Sequence, residues 1–393
     1  MIGHALSRDG GVSFQDLGGI PPCSTCLGST NPSLARAPSG VLFLANLQDS
    51  LYGNRVGVAR SYDGGETFTP LVLIPSLKGP TLADLPQVVT SPTTGEVFVI
   101  WTDLLRKAVL VSSSGDGQNF REPTTVIEGG APKQFARLVV GQEGVLYCFW
   151  LEPLPTGLVG GWRGGIFGSR SFDSGITWAS SVKVMEILLP TARGQVGYLW
   201  DGIRALPIPS VATAPNSGLI YLAVHSAGPD GVDNADVIVA AIDPELNLAS
   251  PPVKIDDDGT STDQFLPTLA ISPTGVIGVA FYDRRVDPAN KCTDLFLARS
   301  YDHGQTFHIE RVTTSSFAWP PIDGQATPTG HYDPLRRAGY IGDYIDIDAD
   351  GTFFYLAWAG TKDLIFTPNY PDGRLDLDVF FAKVPIYNPG PNG

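Results

Sequence analysis

Ser61-Tyr62-Asp63-Gly64-Gly65-Glu66-Thr67-Phe68 orders the rest of the chain, because its pattern S-x-D-x-G-x-T-[FW] comes back along it. It recurs as Ser171-Phe172-Asp173-Ser174-Gly175-Ile176-Thr177-Trp178 and as Ser300-Tyr301-Asp302-His303-Gly304-Gln305-Thr306-Phe307. Ser7-Arg8-Asp9-Gly10-Gly11-Val12-Ser13-Phe14 differs only in carrying Ser for Thr, and degenerate copies begin at Ser113 and Ala241. The intervals between the six starts are 54, 52, 58, 70 and 59 residues, a period that signals a propeller or another repeat array. Each residue of the pattern has a local task. A short Asp accepts hydrogen bonds from turn N–H groups, Gly takes a backbone conformation closed to other residues, and the last aromatic packs inward as the next strand begins. The motif therefore reads as a hairpin clip, and no chemistry is assigned to it.

A second repeat lies between the clips, a turn followed by a strand that ends in an aromatic or polar residue. Its copies end at Asn46, Trp101, Trp150, His225, Tyr282 and Trp358. Each pairs with a preceding strand such as Leu85-Pro86-Gln87-Val88-Val89 or Leu266-Pro267-Thr268-Leu269-Ala270. Six such hairpins alternating with six clipped ones give an all-β fold, a six-bladed β-propeller of four-stranded antiparallel blades. The segment Leu377 to Lys383 reads as one third strand too many, which keeps seven blades as the alternative. One domain spanning 1–393 is expected.

Composition agrees with many short strands joined by turns. The 45 Gly and 33 Pro are spread along the whole chain and only 17% of residues are charged. A formal charge of −14 would repel a nucleic acid, which excludes that partner class. No apolar run is long enough to span a bilayer, and Met1 is followed by neither a basic start nor an apolar run of the signal type. The compartment stays open, with a secreted or extracellular place preferred to a cytoplasmic one. Cys148 lies in an apolar run and reads as a buried hydrophobe. Cys23 and Cys26 form a C-x-x-C compatible with a redox pair, half a zinc site or a local disulfide; no second half completes a zinc site.

The clip is the Asp box, and in these repeats the sequence resembles the sialidase superfamily over nearly its whole length. The resemblance implies an exo-acting glycoside hydrolase on an acidic sugar, with the clips on the face away from the site. The opposite face then gathers Asp49, Asp103, Glu152, His225, the run from Tyr282 to Asp294, and Trp358. It also takes Arg36, Lys133, Asp201, Arg204, Asp263 and the stretch 315–344.

Within that set, Tyr282-Asp283-Arg284-Arg285 is the densest cluster, since flat guanidinium groups fit a carboxylate with two donors each. The second runs from His331 through Arg337 and Tyr340 to Tyr344. A sialidase-type site implies Arg36, Arg204, Arg284, Arg285 or Arg337 on the substrate carboxylate, Tyr340 or Tyr344 as nucleophile with Glu152 as its partner, and an Asp as acid. Asp283 counts among the catalytic candidates, and Tyr282, Tyr340 and Trp358 among the sugar contacts. The sequence lacks the superfamily's early Arg-Ile-Pro signature, so two alternatives stay open. A polysaccharide lyase on a uronate-containing glycan would use His225 or His331 as base. A glycan-binding or protein-interaction propeller would use none of them catalytically. A carbohydrate is the expected partner in the enzyme readings. No cofactor is expected, although Asp256-Asp257-Asp258-Gly259 through Asp263 offers oxygen ligands that Ca²⁺ could use. Asp346-Ile347-Asp348-Ala349-Asp350-Gly351 imitates a calcium loop but reads as a strand entering a turn.

Overall fold

The computed structural model describes residues 1–50, 53–155, 162–192, 195–228, 235–255, 259–319, 342–367 and 370–387. The chain divides into two compact units, residues 1–154 with 165–185 and residues 155–164 with 186–393. Six antiparallel sheets follow one another along the sequence. In the first, Gly28–Arg36, Leu42–Ser50, Gly53–Ser61 and Val72–Leu73 lie in chain order; the fifth is built likewise from Gln264–Ile271, Ile277–Asp283, Cys292–Ser300 and His308–Arg311. This is the all-β, six-bladed propeller that the repeats predict. Among the described residues the sixth sheet has three strands, Asp346–Ala349, Phe353–Thr367 and Tyr370–Pro385, so the surplus strand of the sequence reading is the third strand of this blade. Ile2–Leu6 and Gln15–Ile20 pair as a hairpin. No helix among the described residues is long and apolar enough to cross a membrane.

The clips have the geometry their residues dictate. In the first blade, Asp63 accepts from the Thr67 N–H at 3.0 Å, the Thr67 hydroxyl at 2.6 Å and the Ser61 hydroxyl at 2.7 Å. The Gly65 N–H in turn donates to Ser61 Oγ at 2.8 Å, and Gly65 has φ +97°. Asp173 and Asp302 repeat the pattern. These bonds favour the carboxylate and hold Asp9, Asp173 and Asp302 at a pKa of about 2. The degenerate copy in the second blade is a clip one residue shorter than expected and starts at Ser114, not Ser113. Ser114 donates to Asp116, which also accepts from the Asn119 N–H and side-chain amide.

Two features of the innermost strands were not visible as motifs. Asn31, Leu85, Phe135 and Leu266 have φ between +48° and +58°, each at a register break where the strand bulges. Beyond each bulge, side chains tie neighbouring blades together. The Val88 N–H donates to Ser33 Oγ, the Leu138 N–H to Gln87 Oε1 and the Leu269 N–H to Ser210 Oγ, at 3.1, 2.7 and 3.0 Å.

Blades meet through apolar faces. Val97, Val99, Trp101 and Leu110 pack with Phe43, Ala45 and Val58 in the first unit, while Val279, Phe281 and Phe296 pack with Tyr221, Ala223 and Val239 in the second. Cys148 is fully buried in the first unit, and Cys23 and Cys26 form a disulfide. Gly278 marks where packing leaves no spare volume, since a Cβ there would stand 2.4 Å from the fully buried Phe354 ring. Gly278→Ala is expected to lower unfolding free energy by about 1–3 kcal/mol through overpacking, as read from urea denaturation. An unchanged midpoint would contradict this packing.

Candidate functional site

In the fifth blade, Gln264 pairs with Asp283 and Asp283 with Asp294, while Ile271, Ile277 and Ser300 align at the other end beside the Asp302 clip. The Tyr282 to Asp294 cluster therefore lies at the end of the blade opposite its clip, where the sequence reading put it. Arg36 does not. It pairs with Leu42, which pairs with Ser61, so the Gly28–Arg36 strand runs out at the clip end and Arg36 is exposed there. The sequence reading had assigned it to a connection at the opposite end.

Arg284 is the centre of the cluster and is completely buried. Its Nη1 lies 2.9 Å from Asp201 Oδ2 and 3.4 Å from Asp263 Oδ2, and donates to the Asn290 carbonyl at 2.9 Å. Its Nε donates to Thr293 Oγ1, and its guanidinium lies 5.3 Å from the Phe265 ring centroid. Trp319 donates to the same Thr293 hydroxyl at 2.8 Å. Asp263 also accepts from the Asn290 amide at 2.9 Å. Asn290 and Trp319 fall in the stretches that the sequence places on this face but carry no motif that singles them out, since only the folded loop brings them to Arg284.

Asp201 belongs to a tight hairpin in which the Leu199 N–H donates to the Ile203 carbonyl and the Gly202 N–H to the Leu199 carbonyl. The hairpin is fixed from two sides. Asp201 ties it to Arg284, and Arg204 forks onto Asp343, with Nε donating to Oδ1 at 2.9 Å and Nη2 donating to Oδ2. What the hairpin displays is Trp200, 52% exposed, beside Asp201, whose side chain is 24% exposed; next to Asp343 stands Tyr344, 37% exposed. Sequence reasoning named Asp201 and Arg204 by their loop but missed Trp200, which stands alone in a Gly-rich turn without a motif.

Burial gives the other candidates of this unit interior positions. His225 is fully buried, its Nε2 donating to the Ala205 carbonyl at 3.2 Å and its Nδ1 accepting from the Leu266 N–H at 3.3 Å. Desolvation lowers its pKa to about 4 and so keeps the ring neutral. The Tyr282 hydroxyl donates to the Ala359 carbonyl at 2.7 Å, with its ring among Phe265, Phe317 and Trp319, and burial drives its pKa up. Asp283 is fully buried and accepts from the Arg285 N–H and Nε, both at 2.7 Å. The Arg285 guanidinium lies 4.8 Å from the Phe296 ring centroid. Trp358 is buried against Phe380, ring centroids 5.7 Å apart. His331, Arg337 and Tyr340 lie outside the described residues, as do Asp256, Asp257 and Asp258.

Glu152 belongs to the first unit, where it accepts from Trp150 Nε1 at 2.7 Å and pairs with the buried Lys133 at 3.1 Å. Asp103, also in that unit, is buried and caps a turn by accepting from the N–H groups of Leu105 and Arg106. No group of three His, Cys, Asp or Glu among the described residues comes together in a way that could hold a metal ion.

Among the described residues the cluster's charges nearly cancel, with a small acidic excess. Arg204, Arg284, Arg285 and Arg311 face Asp343, then Asp201 with Asp263, then Asp283, then Asp294, which is four arginines against five aspartates. Each guanidinium is already neutralised, so the cluster offers fixed carboxylates beside exposed aromatic rings more than it offers free cations.

Neither a family model nor a curated protein sequence matches the chain. Solved structures do resemble it. The α-L-arabinanase of Penicillium chrysogenum, complexed with arabinobiose, is 14% identical over 91% of this chain and 95% of its own, with a TM-score of 0.51. An ulvan lyase from a new family of polysaccharide lyase is 11% identical over 93% of this chain and 83% of its own, at a TM-score of 0.50. A Hadza microbial sialidase is 15% identical over 85% of this chain, at a TM-score of 0.47, and the chain spans 64% of that sialidase's length. At these identities the likeness concerns the fold alone.

Proposed function

We propose that the chain is a carbohydrate-active propeller enzyme, one domain over residues 1–393, that hydrolyses a glycosidic bond at the surface bearing Trp200 and Asp201. The observation that carries the reading is the doubly anchored hairpin. Holding a carboxylate and an aromatic face rigid and partly exposed at a strand-end rim is what stacking on a sugar ring and stabilising an oxocarbenium-like transition state require. Asp201 is the carboxylate facing the sugar, as base or nucleophile, and a second, protonated carboxyl must give the leaving-group oxygen its proton as the glycosidic bond breaks. Arg284, which pairs with Asp201, and Arg204, which pins its hairpin to Asp343, are positioning residues that hold Asp201 in place. The arabinanase and the polysaccharide lyase that share the fold agree with a carbohydrate substrate. A polymer of that kind is met outside the cell, which favours a secreted or extracellular place. This chemistry calls for no cofactor.

Two features separate this reading from its rivals. A lyase needs a titrating His or Tyr base in contact with substrate, and the described candidates His225 and Tyr282 do not fit that role, being buried with their polar atoms bonded to backbone, which leaves it to Tyr344 or to His331. The sialidase-like reading, with its acidic sugar, draws on guanidinium groups free to fork onto a carboxylate. Those of Arg204, Arg284 and Arg285 are engaged by aspartates, so the geometry supports an uncharged sugar better. The test is Asp201→Asn against wild type on an aryl glycoside that the wild type turns over. A fall in kcat of at least ~100-fold with the circular dichroism spectrum unchanged is expected. A variant turning over at the wild-type rate would refute the assignment of Asp201.

A further inference from the structure

The clip-bearing end of the first unit's blades carries a cavity that this reading leaves unused. Four turns enclose it: Ala37–Val41 and Thr93–Gly95, each joining the first two strands of its blade, and the clips that bear Tyr62 and Asp116. The cavity measures about 260 Å³, with the buried Phe43 in its lining and the hydroxyl-bearing Ser39, Thr93 and Thr94 among its other walls. Tyr62 is 65% exposed. The clip's hydrogen bonds use Ser61, Asp63, Gly65 and Thr67, and the Tyr62 ring takes no part in them. Arg60 makes the wall rigid. Its guanidinium lies 5.8 Å from the Tyr62 ring centroid, and it donates to the Asp116 carbonyl at 3.4 Å and to Gln118 Oε1 at 3.1 Å on the second clip.

The corresponding residue of the fifth blade shows what this position accepts. Tyr301, within the second unit, is covered by the chain's own Tyr387, with ring centroids 5.6 Å apart and planes at 22°. Tyr62 has no aromatic ring stacked on it among the described residues. We infer that Tyr62 and this cavity form a non-catalytic carbohydrate site, which takes one neutral sugar ring of a polysaccharide flat against the Tyr62 face. A neutral sugar fits the local chemistry better than an ion. The Asp116 carboxylate is spent on Ser114, Gln118 and Asn119, and Arg60 is held by the second clip, so what remains is an aromatic face and hydroxyl groups. The cavity is smaller than the ~300–1,000 Å³ of drug-sized pockets, in keeping with a single ring.

Affinity electrophoresis of the full chain through gels containing linear arabinan, galactan or mannan tests the site. At least one of these should retard the wild type. Tyr62→Ala should bind it roughly tenfold more weakly, while its rate on a small aryl glycoside stays at the wild-type value. Asp201→Asn should be retarded like the wild type, which separates this site from the catalytic reading. Retardation of the wild type by none of the three polymers, or equal retardation of Tyr62→Ala, would overturn the inference.

Discussion

Arg284→Ala is expected to lower the free energy of unfolding by about 3–5 kcal/mol, the cost of removing one partner from a buried ion pair. The guanidinium has no exposed surface and is the counter-charge of Asp263, which is equally buried, and of Asp201. Its loss leaves the Asp263 carboxylate in the interior without that counter-charge, along with a void against Phe265. Urea denaturation of wild type and variant reads the effect directly. Because Asp201 depends on Arg284 for its position, any variant that survives should also lose turnover. A variant with wild-type stability would mean that Arg284 is not the counter-charge on which the buried Asp263 depends.

The second large effect is a dependence of stability on pH that comes from one histidine. An unfolded His titrates near 6.5, whereas burial holds folded His225 neutral down to about 4. Between those values the unfolded chain binds a proton that the folded one refuses, so stability falls as pH falls. The loss begins near pH 6.5, accumulates to about 3 kcal/mol and levels off below pH ~4. A second loss follows, since the clip carboxylates of Asp9, Asp173 and Asp302 titrate near 2 in the fold and near 3.9 when unfolded. Their contribution is complete above pH ~4 and disappears as pH drops toward ~2. His225→Gln keeps a donor for the Ala205 carbonyl and cannot titrate. Urea midpoints taken from pH 7 to 4 should therefore decline steeply in the wild type and much less in the variant. Parallel declines would show that His225 does not carry the effect.

These two residues also show how far the sequence could be read. The blades were legible because each clip is local: Asp63, Gly65 and Thr67 meet within one turn, and their order alone implies the hydrogen bonds found. The second strands were equally legible, since each is a continuous apolar run with a turn before it. Site residues were harder, because the same residue types serve both rim and interior. His225 and Tyr282 end their strands in polar or aromatic character that looks like a site, and the fold seals both behind neighbouring blades. Arg36 was misplaced because it lies at the turn from the first to the second strand of its blade, which shares the clip end, rather than in a connection between blades. Trp200 was passed over for the opposite reason: its importance comes from Asp201 and Arg204 clamping the hairpin to residues 83 and 139 positions away, and no local pattern encodes that.

The central claim is that fixed carboxylates, not free guanidinium groups or a titrating His or Tyr, act on the substrate. Its most direct test is to incubate the full chain with neutral arabinan and with a uronate-containing polysaccharide, following reducing ends and the ultraviolet absorbance of unsaturated uronates together. Release of reducing ends from the neutral polymer, with no rise in ultraviolet absorbance from either, is the predicted result. New ultraviolet absorbance from the uronate polymer, with the neutral one left intact, would contradict it.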